Sequence, residues 1–143
     1  MKISLLKEED IEDLVKLEKE VFSHSLGEDY FKLQLKNPSS YYILLKEDTE
    51  LVGYIGTTIE EMSEIQNFCI RKDFQGYGYG DLLLSNALMK MQKENSKSVY
   101  LEVNSTNTRA INLYKKCGFE VDHIRKGYYD GVDAFVMIKK IGD

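Results

Sequence analysis

The chain is 143 residues long, carries a formal net charge of -5 and has a single proline. That length suits one domain over residues 1–143 with a real core and leaves no room for two, and the acidity argues against nucleic acid as the main partner, because phosphate-backbone binding calls for a basic face. No apolar run approaches the length of a membrane helix, and Met1-Lys2-Ile3-Ser4 leads into charged residues instead of a signal-peptide core, so no membrane association and a cytoplasmic location are expected.

Ile3 to Leu6 reads as a short first strand. Glu8-Glu9-Asp10 then places negative charge where a helix begins, ahead of Ile11, Leu14, Val15, Leu17, Val21 and Phe22 at helical spacing. A second short helix is expected from Asp29 to Leu35, ended by Asn37-Pro38. Tyr41 to Leu45 and Leu51 to Ile59 read as two strands joined by a polar turn, which makes a hairpin, and a fourth strand runs from about Glu64 to Arg71. After a glycine-rich stretch comes a helix with Leu83, Leu84, Ala87, Leu88 and Met91 on one face. Val99 to Val103 is a fifth strand, about Thr108 to Lys116 a helix closed by Gly118, and two strands near Glu120–Arg125 and Ala134–Lys140 finish the chain. The order β-α-α-β-β-β-α-β-α-β-β predicts an α/β fold, a mixed sheet of about seven strands with helices on both faces.

Metal chemistry is not expected. His24 and His123 stand alone, and Cys69 and Cys117 lack the paired spacing of a zinc site or a disulfide framework, so both cysteines read as small buried hydrophobes.

The glycine-rich stretch is Gln75-Gly76-Tyr77-Gly78-Tyr79-Gly80-Asp81, between a strand and a helix. Three glycines able to take positive φ, followed by the free N–H groups of a helix N-terminus, make a turn suited to pyrophosphate; the same residues also suit a merely flexible connection. The nucleotide-triphosphate loop needs Gly-Lys-Ser/Thr, and here Gly80 is followed by Asp81; the dinucleotide fingerprint needs G-x-G-x-x-G, which no stretch supplies. Asp81 complements the helix dipole but competes with an anion, and Arg71 and Lys72 offset it if they face the same ligand.

Strand five ends in Leu101-Glu102-Val103-Asn104, and alternation points the Glu102 carboxylate to the opposite side from the aliphatic side chains. The following helix puts Ala110, Leu113, Tyr114 and Cys117 on one face. Glu102 reads either as an ordinary strand glutamate or as a base, and Tyr114 either as a core aromatic or as a proton donor.

Three motifs in order, Gln75-x-x-Gly78-x-Gly80 after a strand, Leu101-Glu102-Val103, and Asn107-x-x-Ala110-x-x-Leu113-Tyr114-x-x-x-Gly118-Phe119, resemble the GNAT family of acetyl-CoA-dependent N-acetyltransferases over nearly the whole chain. Within it, Arg125-Lys126-Gly127-Tyr128-Tyr129 and Asp133-Ala134 resemble the bacterial ribosomal-protein alanine N-acetyltransferases. The resemblance implies that Phe68, Cys69 and Ile70 contact acetyl-CoA through strand backbone, that residues 76–81 hold its pyrophosphate, and that Asn107 bonds the pantetheine end. It further implies Glu102 as general base and Tyr114 as general acid, and a protein or peptide N-terminal α-amine as acceptor. Tyr128 and Tyr129 read equally as a wall of a peptide groove and as loop decoration. The acidic Glu60, Glu61 and Glu64 read as an attractor for a cationic amine or as solvated surface. Alternatives with the same motifs are acetylation of a small amine and a non-catalytic acyl-CoA-binding module, in a monomer or a homodimer. Phe22-Ser23-His24-Ser25 departs from the Pro-Trp pair usual in the alanine enzymes, which bears on peptide recognition more than on catalysis.

Overall fold

A computed structural model describes residues 1–142. Strand β1 (Lys2–Leu5) leads through a single 3-10 turn, Glu8–Asp10, into helices α1 (Ile11–Phe22) and α2 (Glu28–Lys36). The hairpin β2 (Ser40–Glu47) and β3 (Glu50–Thr58) follows, then β4 (Met62–Ile70), α3 (Tyr79–Lys93), β5 (Ser98–Asn104), α4 (Thr108–Lys116), β6 (Glu120–Tyr129) and β7 (Val132–Lys140). Every expected element forms, in the expected order. The largest boundary difference is β6, which runs to Tyr129 instead of stopping near Arg125.

All seven strands join one sheet in the order β1-β2-β3-β4-β5-β7-β6, antiparallel except between β4 and β5. Alternation along the strands separates two apolar layers. On one face Ile43, Leu45, Ile55, Val99, Leu101 and Val103 pack with Leu83, Leu84, Ala87 and Met91 of α3 and Ile111 and Tyr114 of α4. On the other, Tyr42, Leu44, Tyr54 and Cys69 pack with Leu14 and Leu17 of α1 and Phe31 of α2.

Two irregularities shape the centre of the sheet. A bulge in β4 leaves Gln66 unpaired between Ile65↔Thr57 and Asn67↔Gly56, which re-aims the residues after it. Then β4 pairs with β5 only over Met62–Glu64 against Ser98–Tyr100, while β5 continues along β7 as far as Asn104↔Ala134. Beyond Glu64 the two strands part, so residues 65–70 present the β5-facing edge of β4 to a wedge open at the strands' carboxyl ends. Among the described residues, no helix is long and apolar enough to cross a membrane.

Candidate active site

The wedge has two sides, and the glycine turn closes one of them. Gly76 and Gly78 adopt φ of 88° and 87°, the left-handed region that a β-carbon disfavours, whereas Gly80 lies inside α3 with helical backbone. Gly80 is therefore required for a different reason than positive φ. A β-carbon there would sit 3.3 Å from Leu113 Cδ2 and 3.6 Å from Phe68 Cζ, so its absence lets α4 and β4 close on the first turn of α3. The Leu82 N–H is bonded to the Gly78 carbonyl at 3.1 Å, which leaves the N–H groups just before it without helical partners, as at any helix start. Gln75 braces the turn, donating from Nε2 to the Ile70 carbonyl at 2.8 Å. Tyr77 is exposed, and Tyr79 packs partly against the core. Of the β4 residues, Phe68 lies beside Tyr114 with ring centres 6.2 Å apart, Cys69 is buried on the α1 face, and Ile70 ends the strand opposite Gly53.

The charges around the turn are arranged differently from the sequence expectation. Arg71 is held by Glu50 at 2.5 Å and by Asp73 at 2.7 Å, and its guanidinium lies 4.8 Å from the Phe74 ring centre, so it does not offset Asp81. The cation beside Asp81 is Lys116 at the end of α4, with Nζ 3.0 Å from Oδ2. This pairing raises the lysine's pKa above its usual value, chiefly through the hydrogen bond to Asp81. Asn107 caps α4, its Oδ1 accepting from the Ala110 N–H at 3.2 Å, and its side-chain N–H2 is not used in that cap.

The other side of the wedge is the open face of β5. Glu102 is partly exposed there and is paired with Arg125 of β6. The same guanidinium lies 4.5 Å from the centre of the Tyr128 ring, and Tyr128 meets Tyr129 edge-on at 5.1 Å. Register is lost on β6 between Arg125 and Tyr129, where Gly127 turns at φ 64° and its N–H donates to Asp133 Oδ1 at 3.0 Å. That irregularity brings Arg125, Tyr128 and Tyr129 together beside Glu102. Burial raises the Tyr129 phenol above its ordinary value, and the Glu102 carboxylate adds to this. Tyr100 is raised by burial and by the nearby carboxylates, chiefly Glu64 and then Glu102 and Glu60.

Tyr114 belongs to the opposite face, buried between Phe68 and Phe119. Burial alone lifts its pKa far above the free value, so the hydroxyl keeps its proton at any working pH. Glu102 and Tyr114 thus approach the wedge from opposite faces of the sheet. A proton can leave on one side and be supplied on the other.

Residues 9–119 match the Acetyltransferase (GNAT) family. The chain belongs to the GNAT acetyltransferase family. An N-alpha-acetyltransferase of Sulfurisphaera tokodaii is 33% identical over 144 residues, covering 90% of this chain and 86% of that protein. A [ribosomal protein bS18]-alanine N-acetyltransferase of Haemophilus influenzae is 30% identical over 130 residues, covering 89% and 86%. The crystal structure of the ribosomal-protein-S18-alanine N-acetyltransferase from Escherichia coli superposes with a TM-score of 0.91 at 25% identity, over 99% of this chain and 94% of that one.

Three side chains and one polar cluster beside these residues were not singled out from the sequence of this GNAT domain. Arg125 partners Glu102, Lys116 partners Asp81, and Arg109 donates from Nη1 to Gln75 Oε1 at 3.0 Å. A polar cluster also sits at the β4 bulge, where the Tyr42 hydroxyl donates to Gln66 Oε1 at 2.6 Å with the Tyr30 hydroxyl 3.3 Å from the same oxygen. The only sequence signal for the α4 pair was spacing, since Arg109, Leu113 and Lys116 share one helical face.

Proposed function

We propose that this GNAT enzyme transfers acetyl from acetyl-CoA to the α-amine of a protein N-terminus, in the manner named for its ribosomal-protein alanine relatives. The observation that carries the reading is the convergence of Glu102, Arg125, Tyr128 and Tyr129 on the open face of β5, across the wedge from the glycine turn. A broad aromatic wall beside a carboxylate suits an extended peptide whose first atom is an ammonium group. A small amine needs no such wall.

The acyl-donor half fits acetyl-CoA on this chain's own features. The β5-facing edge of β4 at residues 65–70 has no strand partner, Gly76 and Gly78 hold a left-handed turn, and the missing β-carbon of Gly80 lets Leu113 and Phe68 close on the helix start behind that turn. In this reading Phe68, Cys69 and Ile70 offer backbone groups to the pantetheine arm, Gln75, Gly76, Tyr77, Gly78, Tyr79, Gly80 and Asp81 form the pyrophosphate turn, and Asn107 bonds the arm near the thioester. Acetyl-CoA supplies the activated acetyl group.

The chain's residues then manage protons and charge. An α-amine has a reference pKa of about 7.7 to 8.0, so at neutral pH it arrives mostly as ammonium and must lose one proton before attack. Glu102 takes that proton, directly or through water. The amine nitrogen then attacks the thioester carbon, with backbone N–H groups of β4 stabilising negative charge on the acyl oxygen; as the C–S bond breaks the nitrogen loses its second proton to water, and Tyr114, protonated because it is buried, gives its proton to the departing sulfur and regains one from water.

Steady-state assays with acetyl-CoA and an alanine-initiated peptide, against a polyamine at equal concentration, test the acceptor. Peptide turnover is expected to dominate, and activity confined to the polyamine would sink the reading. Glu102→Gln is expected to lower kcat by roughly 100-fold with the KM for acetyl-CoA little changed, and Tyr114→Phe by roughly 10- to 100-fold. Unchanged turnover in both variants would mean that the two roles are misassigned.

A further inference from the structure

The glycine turn needs a cation, and the structure shows where one comes from. Helix α4 lays a stripe of three side chains, Arg109, Leu113 and Lys116, along the turn and the first turn of α3. Arg109 meets Gln75 at 3.0 Å, Leu113 meets the bare α-carbon side of Gly80, and Lys116 meets Asp81 at 3.0 Å. Lys116 is spent on Asp81. Its charge and the aspartate's cancel locally.

Arg109 is different. The chain has three arginines, and carboxylates engage the other two, Arg71 by Glu50 and Asp73 and Arg125 by Glu102. Arg109 is instead positioned by a neutral amide, and that amide is itself fixed, because Gln75 donates its own N–H to the Ile70 carbonyl at 2.8 Å. The guanidinium is therefore held over the turn with its full charge. Its second terminal nitrogen, Nη2, lies 3.5 Å from where a β-carbon of Gly76 would stand, beside backbone in the left-handed conformation. A guanidinium has five N–H donors in a planar fork, and the contact to Gln75 uses one.

We propose that Arg109 binds the pyrophosphate of CoA, supplying from α4 the positive charge that the turn itself lacks. The inference rests on the glycine turn being the pyrophosphate site. It adds a residue outside the turn and assigns Gln75 the task of aiming it. Charge-assisted bonds from a fork to phosphate oxygens are among the stronger contacts an exposed site can make, so the loss is measurable.

The test is steady-state kinetics of the full-length enzyme with three acyl donors: acetyl-CoA, acetyl-dephospho-CoA and S-acetylpantetheine. Arg109→Ala is expected to raise the KM for acetyl-CoA about tenfold at low salt, with most of kcat retained at saturation, and Arg109→Lys to recover part of the loss. The same penalty is expected with acetyl-dephospho-CoA and none with S-acetylpantetheine, which has no pyrophosphate. A penalty that persists with S-acetylpantetheine would show a structural role and overturn the proposal. A penalty lost with acetyl-dephospho-CoA would move Arg109 to the 3′-phosphate and overturn it too. Gly78→Val separates the two levels. If it raises the KM for acetyl-CoA while Arg109→Ala does not, the turn stands and Arg109 falls; if neither variant changes that KM, the turn itself is misread.

Discussion

Asp81 looks wrong for the proposed pyrophosphate site, and the structure supplies a cation beside it. A carboxylate in the first turn of α3 suits the helix dipole and repels a phosphate, and Lys116, 35 positions later, removes the repulsion. Sequence alone made Asp81 legible as a difficulty but not its remedy, because the remedy depends on α4 docking along α3. The charges are exposed enough that each is worth a modest factor. Lys116→Ala is expected to raise the KM for acetyl-CoA about two- to fivefold, and Asp81→Asn to lower it by a similar factor. The double variant is expected to return near the wild type, since the two charges act through each other. Additive effects in a double-mutant cycle would show that the pair is not coupled. Glu102 is the converse case: strand alternation placed its carboxylate on the open face, yet Arg125 was invisible as its partner. The pairing depends on β7 lying between β5 and β6, an order that does not follow the chain.

At the scale of elements, hydrophobic period carried most of the information. Helices α1, α3 and α4 were legible because each has one apolar face, and the β2–β3 hairpin because two apolar runs flank a polar turn. The connection from α1 to α2 was not, since residues 23–27 have no period and their order comes from one buried acid. Glu18, 2% exposed, accepts from Ser25 Oγ at 2.7 Å, from the Leu26 N–H at 3.1 Å and from the Tyr54 hydroxyl at 2.5 Å. The carboxylate ties the loop to the middle of β3, and the loop joins the two helices that cover the face on which the acceptor is expected. Glu18→Ala leaves the Tyr54 hydroxyl buried with its acceptor gone and frees the loop. A loss of about 2 to 4 kcal/mol is expected, read as a lower urea midpoint at unchanged slope. A loss under about 0.5 kcal/mol would show that the loop is held by other contacts.

The molecule as a whole is two half-sheets that share only a three-residue parallel contact before they part. One half, β1 to β4, carries α1 and α2; the other, β5, β7 and β6, carries the carboxylate and the tyrosine pair, with α3 and α4 packed behind the join. The sequence predicted a mixed sheet, but the parting of β4 from β5 leaves no mark in either strand's pattern. A ligand lying in the wedge would bridge both halves and bind only the folded form. At a CoA concentration about 100 times its dissociation constant, linkage gives roughly 2.7 kcal/mol of added stability. For a chain of this size that is a rise in Tm on the order of 8 °C, measurable by calorimetry or dye melting. Hydrogen exchange should locate the effect. Amides of residues 65–70, with their open β5-facing edge, and of residues 76–81 in the turn are expected to slow most on adding CoA, with α1 and α2 little changed. Protection concentrated along α1 and α2 instead would place the ligand outside the wedge and remove the basis for assigning the glycine turn to pyrophosphate.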